Sequence, residues 1–253
     1  MISIETRQEA VRQYRAGAGS PTIAKNLGVS VFWVLKVVEA AGIKRGLESN
    51  GNRKSARYDA FTEVVDEPTA YWLGFLLADG GLSRGRQVTL CIKDLDHLIC
   101  FKKWMQSEHD IIPDRASFRI SFTHQGLADD LKALKFIQNK SLILEFPDIP
   151  MELERHLVRG YFDGDGSVSL YEWHSTCGRY ARPTCCLSIC CGSRIFIDRC
   201  AAILGLTVIS HKKKYWVAKT SAKDKLLSAY HVLYDGATIF LPRKHDRLIE
   251  YLS

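Results

Sequence analysis

The chain has 253 residues, 46% of them hydrophobic, and a formal net charge of +7. That length and apolar content allow a sizeable core and suit one large domain plus a small one, while no apolar run is long enough to span a bilayer and no charged-then-apolar leader opens the chain, so a soluble intracellular protein of the cytoplasm, nucleoid or organelle matrix is expected. Residues 1–57 hold ten Lys and Arg against four Asp and Glu, residues 58–253 twenty-five against twenty-four, which places an anionic partner at the N-terminus above all.

Residues 5–43 read as three short helices. The first ends at Gly17 or Gly19; Ser20 and Pro21 supply an N-cap and a first-turn proline for the second; Gly28 makes a turn, Val29 points inward, and Ser30 caps a third that stops at Gly42. The pattern SPTIAKNLGVS before an apolar helix resembles a helix-turn-helix, whose second helix enters the major groove. The groove-facing positions would be Val31, Phe32, Leu35 and Lys36. Only Lys36 is an evident DNA contact, and a small bundle that docks on protein fits the apolar remainder. Residues 1–46 are taken as this module and residues 47–64 as a basic linker, either a flexible tether or a segment that tracks phosphates.

An apolar helical run, YWLGFLLADGGL at Tyr71–Leu82, follows, with Gly74 and Ala78 four residues apart. Small residues at that spacing share a helix face and let a second helix approach closely. The run ends in Asp79-Gly80, the glycine suiting the left-handed position that stops a helix. Next come a strand, QVTLCIK, with Val88, Leu90 and Ile92 on one face; a helix capped by Asp94; a strand, SFRISFTH; and a helix near Leu127–Leu134. Each strand pairs an apolar face with one of Arg, Lys, Gln, Ser and Thr, side chains that suit phosphates and base edges but that an ordinary solvated sheet also carries.

FPDIP at residues 146–150 breaks the pattern, and the order then recurs. The run HLVRGYFDGDGSV, His156–Val168, carries Gly160 and Gly164 and ends in Asp165-Gly166, 86 residues after the first Asp-Gly. Strands SVSLYEW and TCCLSICC, a helix from Ser193 to Leu204, strands near Thr207–Ser210 and Lys214–Lys219, and a helix from Ala222 to Tyr234 complete the second copy. DGDGS is not a calcium loop, because counting from Asp163 puts Val168 where the required Gly belongs and His174 where the bidentate Glu belongs. The eight cysteines lack zinc-site pairing and are expected as reduced, buried thiols.

Asp79 and Asp165 would thus end two helices packed side by side. A carboxylate there faces the negative end of the macrodipole and a like charge beside it. The arrangement makes physical sense if a divalent cation sits between them.

Both runs resemble the LAGLIDADG motif of homing endonucleases. Gly74, Ala78, Asp79 and Gly80 match its third, seventh, eighth and ninth positions, and Gly160, Gly164, Asp165 and Gly166 match them again. Leu77 replaces the motif's other acid and Gly164 its alanine. The resemblance, over about residues 65–250, implies an α/β (α+β) fold: a pseudo-two-fold tandem repeat with saddle-shaped antiparallel sheets (repeats 65–150 and 151–253) beside the N-terminal three-helix module. It implies a site-specific endonuclease for double-stranded DNA, acting as a monomer on a non-palindromic site, with Mg2+, or alternatively Mn2+, held by Asp79 and Asp165. Lys93, at the end of its strand, is the candidate for ordering water near the metal, with Cys190 as its counterpart by strand alignment; Lys213 in the HKKK run is a second candidate. Lys36, Arg84, Arg86, Gln87, Thr89, Arg119, Ser188, Lys212 and Lys214 are the candidate DNA contacts. Arg243 and Lys244 either meet a phosphate or merely follow the packed Ile239 and Leu241, and Asp163 reads as structural. A transcription regulator that binds without cutting and a maturase acting on intron RNA are the alternatives; two carboxylates aimed at a polyanion favour cleavage.

Overall fold

The computed structural model describes residues 2–16, 18–43, 54–138, 140–175, 180–211 and 215–253. The chain divides into two compact units, Met1–Ser55 and Ala56–Ser253, each with its own apolar core.

In the first unit α1 (Ile4–Arg15), α2 (Ser20–Leu27) and α3 (Val31–Ala40) close on Ala10, Tyr14, Ile23, Ala24, Val34 and Val38. Gly28 turns at φ 63°, and Ser30 Oγ accepts the Trp33 N–H at 3.1 Å, as expected. Two expectations are corrected. α1 stops at Arg15, before either glycine, and Gly19 rather than Ser20 caps α2, Ser20 being its first helical residue.

The second unit repeats one order of elements twice. The first copy is α4 (Glu67–Asp79), β1 (Gly80–Ser83), β2 (Gln87–Ile92), α5 (Leu95–Trp104), β3 (Ile112–Asp114), β4 (Ser117–Thr123) and α6 (Gln125–Ala133). The second is α7 (Glu154–Asp165), β5 (Ser167–His174), β6 (Ala181–Cys191), α8 (Arg194–Leu204), β7 (Thr207–His211), β8 (Tyr215–Thr220) and α9 (Lys223–Tyr234), with α10 (Pro242–Leu252) closing the chain. Both sheets are antiparallel and share one topology, β1-β2-β4-β3 and β5-β6-β8-β7. Val88, Leu90, Ile92, Ile120 and Phe122 are buried beneath α5 and α6, as the period of two requires. β1, β3 and α10 were not among the expected elements: the two strands are four and three residues long, too short for alternation to register.

Ala60, Phe61 and Val64 lie in the second unit's core, so the linker expected at 47–64 ends earlier. Both repeats contribute to that one core; position 150 separates repeats rather than domains. No helix among the described residues is long and apolar enough to cross a membrane.

The motif helices α4 and α7 pack against each other along their length. Every α4 residue from Thr69 to Leu77 is buried, as a helix at the centre of a core must be.

Candidate active site

The packed helices end together. Asp79 is the last residue of α4 and Asp165 the last of α7, both open to solvent. Gly164 keeps the ends close: a Cβ there would collide with the Ala78 methyl and stand 3.3 Å from Asp79 Oδ2. The glycines after the acids are not left-handed as expected. Gly80 and Gly166 are extended, at φ −78° and φ −77°. They are required by space instead, since a side chain at Gly80 would meet the Leu76 carbonyl and one at Gly166 the Phe162 ring and carbonyl.

Surrounding protein pushes the Asp79 carboxyl up to about 6, the negative charge of Asp165 adds to this, and Lys244, Lys140 and Arg243 oppose it. Asp165 is also raised, chiefly by desolvation, against the Tyr161 hydroxyl, Lys140 and Lys244. The two acids are thus near enough to repel, and a cation between them would relieve both penalties. Among the described residues no group of three or more His, Cys, Asp or Glu is placed to hold a metal ion. The protein's contribution would be this pair of hard oxygen donors, which suits Mg2+ or Mn2+.

Two lysines at the carboxylates were not recognised in the sequence as belonging there. Lys140 Nζ donates to the Gly80 carbonyl at the end of α4. Lys244, buried near the start of α10, donates to the carbonyls of Phe162 (2.7 Å), Asp163 (2.7 Å) and Gly164 (3.1 Å) at the end of α7. Each repeat therefore places one ammonium group at the end of its own motif helix, Lys244 on three helical carbonyls of α7 and Lys140 on the carbonyl of the cap residue Gly80, where positive charge offsets the macrodipole that opposes the acid. Desolvation lowers both, Lys244 to about 8. Lys244 is thus no surface phosphate contact, and Arg243 pairs with Asp94 at 3.1 Å. That pairing draws Asp94 away from the N-terminus of α5, where its side chain caps nothing.

Lys93 is exposed, one residue beyond β2. The strand alignment also needs correction. Gly80 pairs with Leu90, and Ser167 with Ser188, so Cys91 rather than Lys93 corresponds to Cys190, and Lys93 to Gly192. Cys91 feels the charge of Asp79, and Cys190 Sγ lies 3.9 Å from the Asp165 carbonyl. A cavity of about 160 Å3 beside Asp165 is lined by Lys140, Tyr161, Cys190, Cys191 and Tyr215. Cys185, Cys191 and Cys200 are buried as expected, whereas Cys100 is exposed.

Arg84, Arg86, Gln87, Thr89 and Arg119 fall on the face of the first sheet that the helices leave open, or at its turns. Thr89 Oγ1 and Ser121 Oγ bond at 3.1 Å, Arg119 pairs with Asp114 at 3.4 Å, and the Ser83 hydroxyl donates to Gln87 Oε1. Arg84 and Arg86 are exposed in the β1–β2 turn. Ser188 is half-buried in β6, and Lys36 is exposed on α3 with Nζ 5.0 Å above the Phe32 ring. Lys212, Lys213 and Lys214 lie outside the described residues.

Behind the acids, Asp163 is fully buried and accepts from the Tyr71 hydroxyl (2.9 Å), the Tyr234 hydroxyl (3.3 Å) and the Leu241 N–H (2.8 Å). It joins α4, α7, α9 and the start of α10, the structural role expected of it. Arg159, also fully buried, binds Glu67 Oε1, His156 Nδ1 and the carbonyls of Leu233 and Ile239. Its pseudo-symmetric counterpart in α4 is Leu73, so only the second motif helix carries this polar framework.

No protein-family model matches the chain, and no curated protein does. Similar solved structures include the I-SmaMI LAGLIDADG homing endonuclease bound to cleaved DNA, with 12% identity over 74% of this chain and 87% of that one (TM-score 0.53). The LAGLIDADG meganuclease I-AabMI bound to uncleaved DNA has 9% identity over 74% and 90% (TM-score 0.54). I-SmaMI bound to an uncleaved DNA target in the presence of calcium ions has 11% identity over 75% and 89% (TM-score 0.52). With its doubled motif helices, its two four-stranded antiparallel sheets and their shared strand order, this chain has the fold of the LAGLIDADG homing endonucleases.

Proposed function

We propose that the chain is a site-specific endonuclease of the homing type, hydrolysing both strands of a long, non-palindromic DNA duplex as a monomer. The observation that carries this reading is the pair Asp79 and Asp165, held together at solvent-facing helix ends where both carboxyls are raised above their ordinary range. Such a pair costs stability and contributes nothing to the core, which makes a functional role the economical explanation.

In this reading the open sheet faces lie along the duplex, with the acids at its centre, one for each strand. Arg84, Arg86, Gln87, Thr89 and Arg119 contact the half-site under the first repeat, and Ser188 and Lys219 that under the second. Lys212, Lys213 and Lys214 would add phosphate contacts or a water-ordering lysine. Mg2+ or Mn2+ bound by the two aspartates would lower the pKa of an attacking water and stabilise the leaving oxygen. Lys140 and Lys244 fix the ends of the motif helices and hold the acids in the ionised form that takes up the metal. Lys140, beside the cavity at Asp165, is better placed than Lys93 to orient water there. The first unit adds a helix-turn-helix with Lys36 toward phosphate.

The test is selection of cleaved sites from a randomised duplex library with Mg2+, and of bound sites with Ca2+. A defined asymmetric site cut in both strands by the wild-type chain, and bound but uncut by Asp79→Asn, is the expected result. A chain that binds a defined site yet never cuts it with Mg2+ or Mn2+ is a regulator instead.

A further inference from the structure

The two open sheet faces differ in chemistry. On the first sheet the side chains opposite the core are Ser83, Gln87, Thr89, Cys91, Arg119, Ser121 and Thr123, with Asp114 and the 44% exposed Ile112 on the edge strand, bounded by Arg84 and Arg86 and on the whole well supplied with hydrogen-bond donors and acceptors. The second sheet also carries polar side chains on its open face, Ser167, Ser169, Ser188, Thr207 and Lys219, and adds larger apolar ones to them. Its registers place Tyr171 opposite Thr184, Trp173 opposite Arg182, Ser169 opposite Cys186, Cys190 opposite Val217, and Ile209 opposite Val217. Tyr171 is 45% exposed, Trp173 40% and Ile209 39%. Toward the sheet's outer end the guanidinium of Arg182 lies 5.1 Å from the centre of the Trp173 ring.

Ile112 is the register equivalent of Ile209, so what the second face adds is Tyr171, Trp173 and Val217, the last standing where the first sheet has Arg119, and a face that groups such side chains suits a partner with apolar groups of its own. The duplex feature that such side chains recognise is the C5 methyl of thymine, the one apolar group each A·T pair presents in the major groove. We infer that the second repeat, beside its polar contacts, reads its half-site by apolar contact with thymine methyls through Tyr171, Trp173 and Val217 next to Ile209, while the first relies mainly on hydrogen-bonding base edges. The inference rests on the endonuclease reading above. It concerns substrate class, because it makes the target asymmetric in composition as well as in sequence.

Uracil in place of thymine removes the methyl and leaves the hydrogen-bonding edge unchanged, so the test needs no altered protein. With the full-length chain and Ca2+, binding is measured to the selected site, to the site with uracil throughout one half, and to the site with uracil throughout the other. The halves are assigned by Gln87→Ala, which relaxes base preference under the first repeat only. The expected result is a thymine-rich half under the second repeat, in which uracil weakens binding by about tenfold or more, a buried methyl being worth roughly a factor of four. Uracil in the first-repeat half changes binding by less than about threefold. The double variant Ile209→Ala with Val217→Ala, judged folded by its thermal transition, should lose most of the thymine-to-uracil discrimination. A selected site that is bound and cut but indifferent to uracil in both halves, or that has no excess of thymine under the second repeat, overturns the inference and leaves the nuclease standing. Absence of any bound or cleaved duplex overturns both.

Discussion

Gly74 and Gly160 each face the backbone of the other's helix. A Cβ at Gly74 would overlap the Leu157 carbonyl oxygen, and one at Gly160 the Tyr71 carbonyl oxygen. The contact is reciprocal, as expected about a pseudo-two-fold axis, and both obstacles are backbone, which has no rotamer with which to yield. Either Gly→Ala substitution must push the helices apart along a wholly buried seam. Overpacking usually costs about 1–3 kcal/mol, and more where backbone must shift; about 3 kcal/mol or more is expected for each, measured by chemical denaturation. A loss below about 1 kcal/mol would mean that the helices are farther apart than described.

Asp79→Asn removes a carboxylate that the fold holds at a cost. The folded pKa of about 6 exceeds the ordinary 3.8, so the native state binds the proton more tightly than the unfolded chain does, and wild-type stability falls as pH rises from about 4 through 6. Above pH 6 the penalty is fully present; below about 4 it is absent. In chelator, therefore, the variant should be more stable than wild type at pH 7.5 by about 1 kcal/mol, a figure reduced from the full linkage value because the residue is open to solvent, and equal to it below pH 4. Excess Mg2+ should narrow the gap at pH 7.5 by stabilising the wild type alone.

Glu67 and Arg159 form the ion pair that fixes α7 to the start of α4. Glu67 Oε1 takes Arg159 Nη2 and also the Thr238 N–H at 2.8 Å, while Arg159 is fully buried. Glu67→Gln keeps an acceptor oxygen but leaves a buried guanidinium without its counter-charge. Breaking a buried pair from one side costs about 3–5 kcal/mol, and a loss near the lower end is expected because the amide still accepts. Cleavage at low temperature should survive in the folded fraction, since Glu67 opens α4 and Arg159 lies in the middle of α7, neither touching the ends that carry Asp79 and Asp165.

The repeat, both motif helices and the two acids at their ends were legible in the sequence because each depends on local pattern: small residues four apart, an Asp-Gly stop, apolar alternation in β2 and β4. What was not legible depended on contacts between distant segments. Lys140 stands 61 residues from Asp79 in sequence and reaches its site only through the fold. Lys244 looked like a surface cation because nothing local marks it as the partner of three carbonyls on α7. Lys93 was favoured for its position at a strand end and matched to Cys190, whereas the register puts it two residues beyond the position equivalent to Cys190. Gly80 and Gly166 were rightly singled out but for the wrong cause, since crowding by the preceding turn mimics in sequence the demand for a left-handed residue.

The first unit has its own core and its own excess of positive charge, so it is expected to be separable. A chain beginning at Ala56 should keep the cooperative unfolding transition of the larger unit and still cut the selected site. Its affinity should fall, because a second DNA-contacting module joined by a short linker raises apparent affinity by about 10²–10⁴-fold when both can engage. The logarithmic dependence of binding on salt should also flatten, by about 0.9 for each phosphate contact removed. Val31 and Phe32, 40% and 67% exposed on α3, make the alternative concrete. If the shortened chain binds its site with unchanged affinity and salt slope, that apolar surface serves a protein partner and α3 is not a recognition helix.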